Sequence, residues 1–223
     1  CDTVVKLWAK RCRELGGAVA HREKDLGIWR AYSWADYHEG AKLIGLGLLA
    51  LGLEKGRPVQ ILSEDRREWL YCDLGVAAVG GIPSGVYTTD SASQLAYLVN
   101  DSGAPFLFVE NDEQLDKFLG VRDQMPGLQK VIVFDRDGLA GFEDEQVMFL
   151  DDLLALGRVR AEQNPTEFDA ALEAVRPEDP RMLIYTSGTT GPPKGATITH
   201  RNVMYQMFAG EQTIEFYSTD ELL

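Results

Sequence analysis

The chain is short of cysteine, histidine and positive charge, and it has no long apolar run. Of 223 residues only three are cysteine: Cys1, Cys12 and Cys72. Their number is odd and no two stand in CxxC spacing, which removes a zinc site and a disulfide framework and suits a reducing cytosol. His21, His38 and His200 lie far apart and no pair has metal-ligand spacing, so no metal site is expected and a structural role is the reading for each. His200 stands nearest to the glycine-rich segment described below. The longest uncharged apolar run, Leu43 to Leu53, is too short to span a bilayer. The chain does not open on a basic stretch followed by an apolar block, so no secretory signal is expected. Lysine and arginine number 22 against 35 aspartates and glutamates, a net charge of −13. That balance argues against a nucleic-acid binder, which needs a basic face. No repeat and no low-complexity segment is evident.

What is present is globular: 45% apolar and 26% charged residues, with length for a sizeable core. Thr3 to Leu15 has helical apolar spacing, and Ala18–His21 and Ile28–Tyr32 read as short strands around a charged turn at Glu23–Gly27. Ser33 is placed to cap a helix from Trp34 to about Leu51, with Gly52 ending it. Strand and helix patterns then alternate. Strands are expected at Pro58–Ser63, Ile82–Tyr87 (strand or loop), Pro105–Val109 and Lys130–Phe134. Helices are expected at Arg66–Val79, Ser91–Asn100 and Glu113–Gln124. This rhythm predicts βαβ units, an α/β fold with a mainly parallel sheet and helices on both faces. Cys72 and the four tryptophans, Trp8, Trp29, Trp34 and Trp69, read as packing residues.

Residues 135–180 hold 13 acidic against 4 basic residues. They read as a solvated acidic connecting region, with a strand at Gln146–Phe149 and helices at Leu150–Arg158 and Pro165–Val175.

The informative segment is Arg181 to His200, RMLIYTSGTTGPPKGATITH. Two strand-like pieces, Met182–Tyr185 and Ala196–Thr199, flank a loop of hydroxyls, glycines and prolines. A helix capped by Thr199 follows, from His200 to about Glu211. Gly188, Gly191 and Gly195 allow positive φ and close approach of an anion to the backbone. Successive N–H groups can then form a nest for phosphate oxygens. Thr186, Ser187, Thr189 and Thr190 add hydroxyl donors, and Pro192 and Pro193 stiffen the second half. Lys194 is the only cation in the sequence between Arg181 and Arg201 and supplies a point charge suited to phosphate. A Walker A loop is excluded, because Pro193 precedes Lys194 and Gly195 follows it, with no Ser or Thr for magnesium. No G-x-G-x-x-G opens a helix after the first strand, so the dinucleotide fingerprint is missing too.

Tyr185-Thr-Ser-Gly-Thr-Thr-Gly-Pro-Pro-Lys-Gly195 resembles the signature of the AMP-forming adenylating enzymes: acyl-CoA synthetases, adenylation domains and luciferases. His200-Arg-Asn202, Gly80 to Thr89 and Tyr32 to Tyr37 resemble the same superfamily, so the likeness covers essentially all of residues 1–223. Within it, Gly27 to Trp34, Pro83 to Thr89 and the acidic insert are similar to long-chain fatty-acid–CoA ligases.

The resemblance implies the N-terminal portion of the large, AMP-binding domain. It implies ATP and magnesium as cofactors, CoA as co-substrate, and phosphate binding by Thr186, Ser187, Gly188, Thr189, Thr190, Gly191 and Lys194. The adenine, ribose and catalytic-lysine motifs of the family have no counterpart here, so the catalytic residues are not assigned and this chain alone is not expected to complete the reaction. An aryl-CoA ligase, an amino-acid adenylation domain and a noncatalytic nucleotide-binding module stay open as alternatives. So does the role of Tyr87 and its neighbouring threonines, which could line the substrate side or a sheet edge. The expected partners are small molecules and the expected location is cytoplasmic. Peripheral membrane contact is left open, although no basic amphipathic helix appears, and oligomeric state is not legible.

Overall fold

A computed structural model describes residues 1–186, 191–215, 217 and 220. Helix α1 (Val4–Leu15) starts where the Thr3 hydroxyl accepts the Lys6 N–H, and it buries Val5, Trp8, Ala9 and Cys12. Strands β1 (Val19–Asp25) and β2 (Ile28–Ser33) form an antiparallel hairpin. The charged turn expected at Glu23–Gly27 is smaller than that. Pairing continues through Asp25 opposite Ile28, and only Leu26 (φ 47°) and Gly27 (φ 84°) turn the chain. Both residues at positive φ match the twist of a two-residue hairpin. Polar residues extend this ladder because β2 is exposed over Ile28–Ala31. Trp29, expected to pack, is 55% exposed, with the Lys24 ammonium 5.9 Å from its ring centroid.

Helix α2 (Trp34–Ala50) opens on a reciprocal capping box, in which the Ser33 hydroxyl accepts from Asp36 N and the Asp36 carboxylate accepts from Ser33 N. Gly52 (φ 94°) ends it, with Leu53 N–H donating to the Leu48 carbonyl. The uncharged run is the buried body of this helix, covered by α1, α3 (Arg67–Ala78) and α6 (Leu150–Gln163). Contact with α6 is backbone to backbone: a Cβ at Gly157 would lie 2.1 Å from the Leu43 carbonyl oxygen.

A seven-stranded sheet carries the rest. Its strands are β3 (Pro58–Leu62), β4 (Ile82–Val86), β5 (Phe106–Val109), β6 (Lys130–Val133), β7 (Val147–Phe149), β8 (Pro180–Thr186) and β9 (Lys194–Thr199). The spatial order is β7-β6-β5-β3-β4-β8-β9, all parallel except β9 against β8. Side-chain alternation builds two cores. Val59, Ile61, Phe106 and Phe108 face α1, α2, α3, α6 and α7 (Glu167–Glu173). Leu62, Leu107, Val109 and Val131 face α4 (Ala92–Ser102) and α5 (Asp112–Leu119). The α/β expectation of a mainly parallel sheet covered on both faces holds. The helix expected at Glu113–Gln124 breaks after Leu119 and resumes as one 3-10 turn, Arg122–Gln124.

The acidic region is more than a solvated connection. It contains β7, α6 and α7, and its Leu150, Leu153, Phe168, Leu172 and Val175 lie in the first core. A count of charge averages over both sides of a helix and so misses the apolar side. Helix α8 (His200–Thr213) follows β9, with the Thr199 hydroxyl accepting from Asn202 N. Among the described residues no helix is long and apolar enough to cross a membrane.

Candidate functional site

The connection after β3 runs through α3 in the first core, and the connection after β4 runs through α4 in the second. Neighbouring strands whose crossovers leave to opposite faces open a crevice at their carboxyl ends. The cleft lies there. It measures about 490 Å³ and is lined by Ser63 and Glu64 after β3, Tyr87, Thr88 and Thr89 after β4, and Leu183 to Tyr185 on β8. Trp69 of α3 closes one wall, 3.5 Å from where a Cβ on Gly85 would stand. β4 is flanked by β3 and β8, so Tyr87 and the threonines are not at a sheet edge. Tyr87 is 75% exposed in the cleft.

Charge around this mouth is arranged by ion pairs. The Arg66 guanidinium reaches Asp135 at 2.7 and 3.0 Å and Glu68 at 2.7 Å. Burial pushes the Glu68 carboxyl up, but hydrogen bonds from Arg66 and Arg67 outweigh it and hold the group below its ordinary range. Glu64 accepts from the Thr88 hydroxyl, and Lys117 donates to the Thr88 carbonyl, so the β4 exit is held from two elements.

β8 leaves the sheet beside the cleft and β9 returns antiparallel. Thr186 and Lys194 are direct cross-strand partners, and Tyr185 faces Gly195. Both Thr186 and Lys194 are exposed, and Gly191 holds φ 103°. That value is reserved for glycine, which accounts for one glycine of the loop. The structure thus brings Thr186, Gly191 and Lys194 to one hairpin end. Ser187, Gly188, Thr189 and Thr190 lie outside the described residues. Exposed hydroxyl, glycine and ammonium groups at a sheet's carboxyl end fit a phosphate chain. Among the described residues no group of three or more His, Cys, Asp or Glu side chains is placed to hold a metal ion.

Two residues that sequence reasoning missed sit against this hairpin. The Tyr97 hydroxyl on α4 donates to the Pro193 carbonyl at 2.8 Å, and the Tyr185 hydroxyl donates to Asp101 at 2.8 Å. Their only trace in the sequence is an i, i+4 pair of polar residues on one helix face.

His200, close to the loop in sequence, is far from it in space. β9 carries the chain away from Lys194 along its whole length, roughly 17 Å at ~3.3 Å per residue. His200 is 1% exposed, and its Nδ1 accepts the Val4 N–H at 3.3 Å. Burial, aided by the Arg181 charge, pulls its pKa down to about 4. His38 stacks on Trp8 at 5.3 Å and His21 on Tyr32 at 5.1 Å. The structural reading of all three agrees with this packing.

Known proteins resemble this chain in sequence and in fold. A Xenopus laevis long-chain-fatty-acid–CoA ligase, ACSBG2, is 31% identical over 220 residues, 99% of this chain and 29% of that protein. FadD15 of Mycobacterium bovis, also named a long-chain-fatty-acid–CoA ligase, is 34% identical over 206 residues, 92% of this chain and 32% of its own length. The chain therefore spans about a third of these relatives. Among solved structures, the anthranilate CoA ligase AuaEII in complex with anthranoyl-AMP superposes with a TM-score of 0.74 at 22% identity, over 93% of this chain and 37% of that one. A fatty acyl-adenylate ligase from L. pneumophila, in complex with acyl adenylate and pyrophosphate, gives 0.67 at 18%, over 93% and 32%. These two likenesses speak for the fold. The family model described as AMP-binding enzyme matches residues 8–223, and the chain belongs to that family.

Proposed function

We propose that the protein carrying this chain is a long-chain fatty-acid–CoA ligase, and that residues 1–223 are the N-terminal part of its AMP-binding domain. A fatty-acid carboxylate attacks the α-phosphate of ATP, forming acyl-adenylate and releasing pyrophosphate. The CoA thiol then displaces AMP to give the thioester. The difficulty of the first step is an anion meeting a polyanion, so donors aimed at the leaving phosphates carry the catalysis.

The observation that carries this reading is the register of Thr186 opposite Lys194 at the sheet's carboxyl end, beside the switch-point cleft. Thr186, Ser187, Gly188, Thr189, Thr190, Gly191 and Lys194 receive the β- and γ-phosphates and steady the departing pyrophosphate. Magnesium, brought in with ATP as part of the substrate, would offset phosphate charge that this acidic chain leaves uncompensated. The cleft along Tyr87 to Thr89 takes the substrate side of the reaction. The reaction is placed in the cytoplasm, with the fatty acid supplied from solution or from a membrane surface touched peripherally.

The test is ATP–pyrophosphate exchange in the full-length protein. Lys194→Ala is expected to lower kcat/KM for ATP at least tenfold, on the order of 1.4 kcal/mol for one lost charge-assisted hydrogen bond. An unchanged value refutes the phosphate role. Exchange driven by benzoate or an amino acid but not by palmitate refutes the fatty-acid assignment.

A further inference from the structure

We propose that Tyr97 and Asp101 are positioning residues that pin both stems of the hydroxyl- and glycine-rich loop to α4 and hold it ready for ATP. The inference rests on the phosphate-binding reading above. Tyr185 is the last residue before Thr186, and Pro193 is the last before Lys194. Each is tied to the same turn of one helix: Pro193 through its carbonyl to Tyr97, and Tyr185 through its hydroxyl to Asp101, both at 2.8 Å. Residues 97 and 101 are four apart and share a helix face. The second contact of Tyr97, 3.5 Å to Asp101, is too long to compete for its single proton, which leaves that proton for Pro193.

Three further features fit an anchorage. Asp101 stands in the last turn of α4, where the helix dipole disfavours a carboxylate, and the Tyr185 hydroxyl supplies the compensating donor. Burial and the neighbouring Asp101 charge push the Tyr185 pKa up, so the phenol keeps its proton to donate. Gly195 makes room for the ring: a Cβ there would lie 3.2 Å from Tyr185 Cζ, the carbon that bears the hydroxyl. The same glycine leaves space for Leu183, whose Cδ1 would stand 3.0 Å from that Cβ. Residues 186–192 run between the two tied residues in the sequence. Fixing Tyr185 and Pro193 sets where Thr186 and Lys194 stand before a ligand arrives, so less of that ordering falls to binding.

The experiment uses the full-length protein and the variants Tyr97→Phe, Asp101→Ala, Asp101→Asn and Lys194→Ala. It reads amide hydrogen exchange without nucleotide, the thermal midpoint, and KM against kcat in ATP–pyrophosphate exchange. Tyr97→Phe and Asp101→Ala are expected to speed exchange of the amides between 186 and 194 about three- to tenfold, the range of one net hydrogen bond. They should raise the KM for ATP by a like factor, leave kcat and the fatty-acid KM unchanged, and lower the thermal midpoint by no more than about 2–4 °C. Asp101→Asn, which keeps an acceptor for Tyr185, should restore most of both. Loop exchange unchanged in Tyr97→Phe and Asp101→Ala overturns the proposal, as does faster exchange throughout β8, β9 and α4 with a midpoint lowered further than that. Faster loop exchange with an unmoved ATP KM, while Lys194→Ala lowers kcat/KM for ATP, also overturns the positioning role. If Lys194→Ala leaves kcat/KM for ATP unchanged as well, the phosphate reading falls and the anchorage stands.

Discussion

The Arg181 guanidinium meets the Asp73 carboxylate inside the protein, with Nη1 to Oδ1 at 2.9 Å and Nη2 on Oδ2. Arg181 is 4% exposed and sits on β8, while Asp73 sits on α3. The strand that delivers the signature loop is thus fastened to the helix that walls the cleft.

Removing one partner leaves an uncompensated buried charge, so Arg181→Leu should destabilise the fold by about 3–5 kcal/mol. Arg181→Leu with Asp73→Leu removes both charges and should recover much of that loss. Urea unfolding of the two variants checks it, and a double variant no more stable than the single one contradicts the account.

His200 makes stability pH-dependent. Its folded pKa, near 4, lies below the ordinary value of 6.5, so below pH 6.5 the unfolded chain takes up a proton that the folded chain refuses. The contribution is fully present above that pH and is lost as pH falls towards 4, on the order of 3 kcal/mol in all. His21 and His38 are shifted the same way by burial and add to the slope. Denaturant midpoints between pH 7 and 4.5 should fall, and more shallowly in His200→Gln; equal slopes would remove His200 as a cause.

Two helical glycines should respond in opposite directions to alanine. At Gly157 the new methyl meets the Leu43 carbonyl oxygen on α2, and the helices must separate at a cost of about 1–3 kcal/mol or more. At Gly210 nothing stands within 4 Å, and the gain in helix propensity should stabilise by about 0.5–1 kcal/mol. Thermal unfolding of both variants decides, and equal shifts would contradict the close approach of α2 and α6.

The three thiols should not react alike. Cys1 is exposed, while Cys12 and Cys72 are buried. Burial pushes the Cys12 thiol up to about 11 and the Cys72 thiol well above its usual value. Of these three, a thiol-specific reagent at pH 8 should modify Cys1 alone in the folded protein and all three in denaturant. Rapid modification of Cys72 without unfolding would argue against its burial on α3 in the first core.

Much of the fold is legible from local pattern. Phe106 to Val109 alternate between the two cores, and Ser33, Ser91 and Asn111 each cap the helix that follows them. Local signals misled where their meaning depends on surroundings. Residues 23–25 read as a turn but extend a strand, because the hairpin stands outside both cores. The acids of residues 135–180 drew attention from Phe168 and Leu172, which fill the core. Proximity along the chain drew His200 towards the loop, and the direction of β9 takes it away.

By itself the sequence determined most of the elements, the α/β class and the composition of the loop, since caps, periodicity and the spacing of glycine, hydroxyl and lysine are properties of neighbours along the chain. The tertiary structure alone decided the strand order, the cleft where the crossovers of β3 and β4 part, the burial of Arg181 with Asp73, and the grip of Tyr97 and Asp101 on the loop's two stems. The bonded pairs among these join residues 84, 96 and 108 positions apart. Nothing local encodes such pairs, because their partners are chosen by how the helices pack on the sheet.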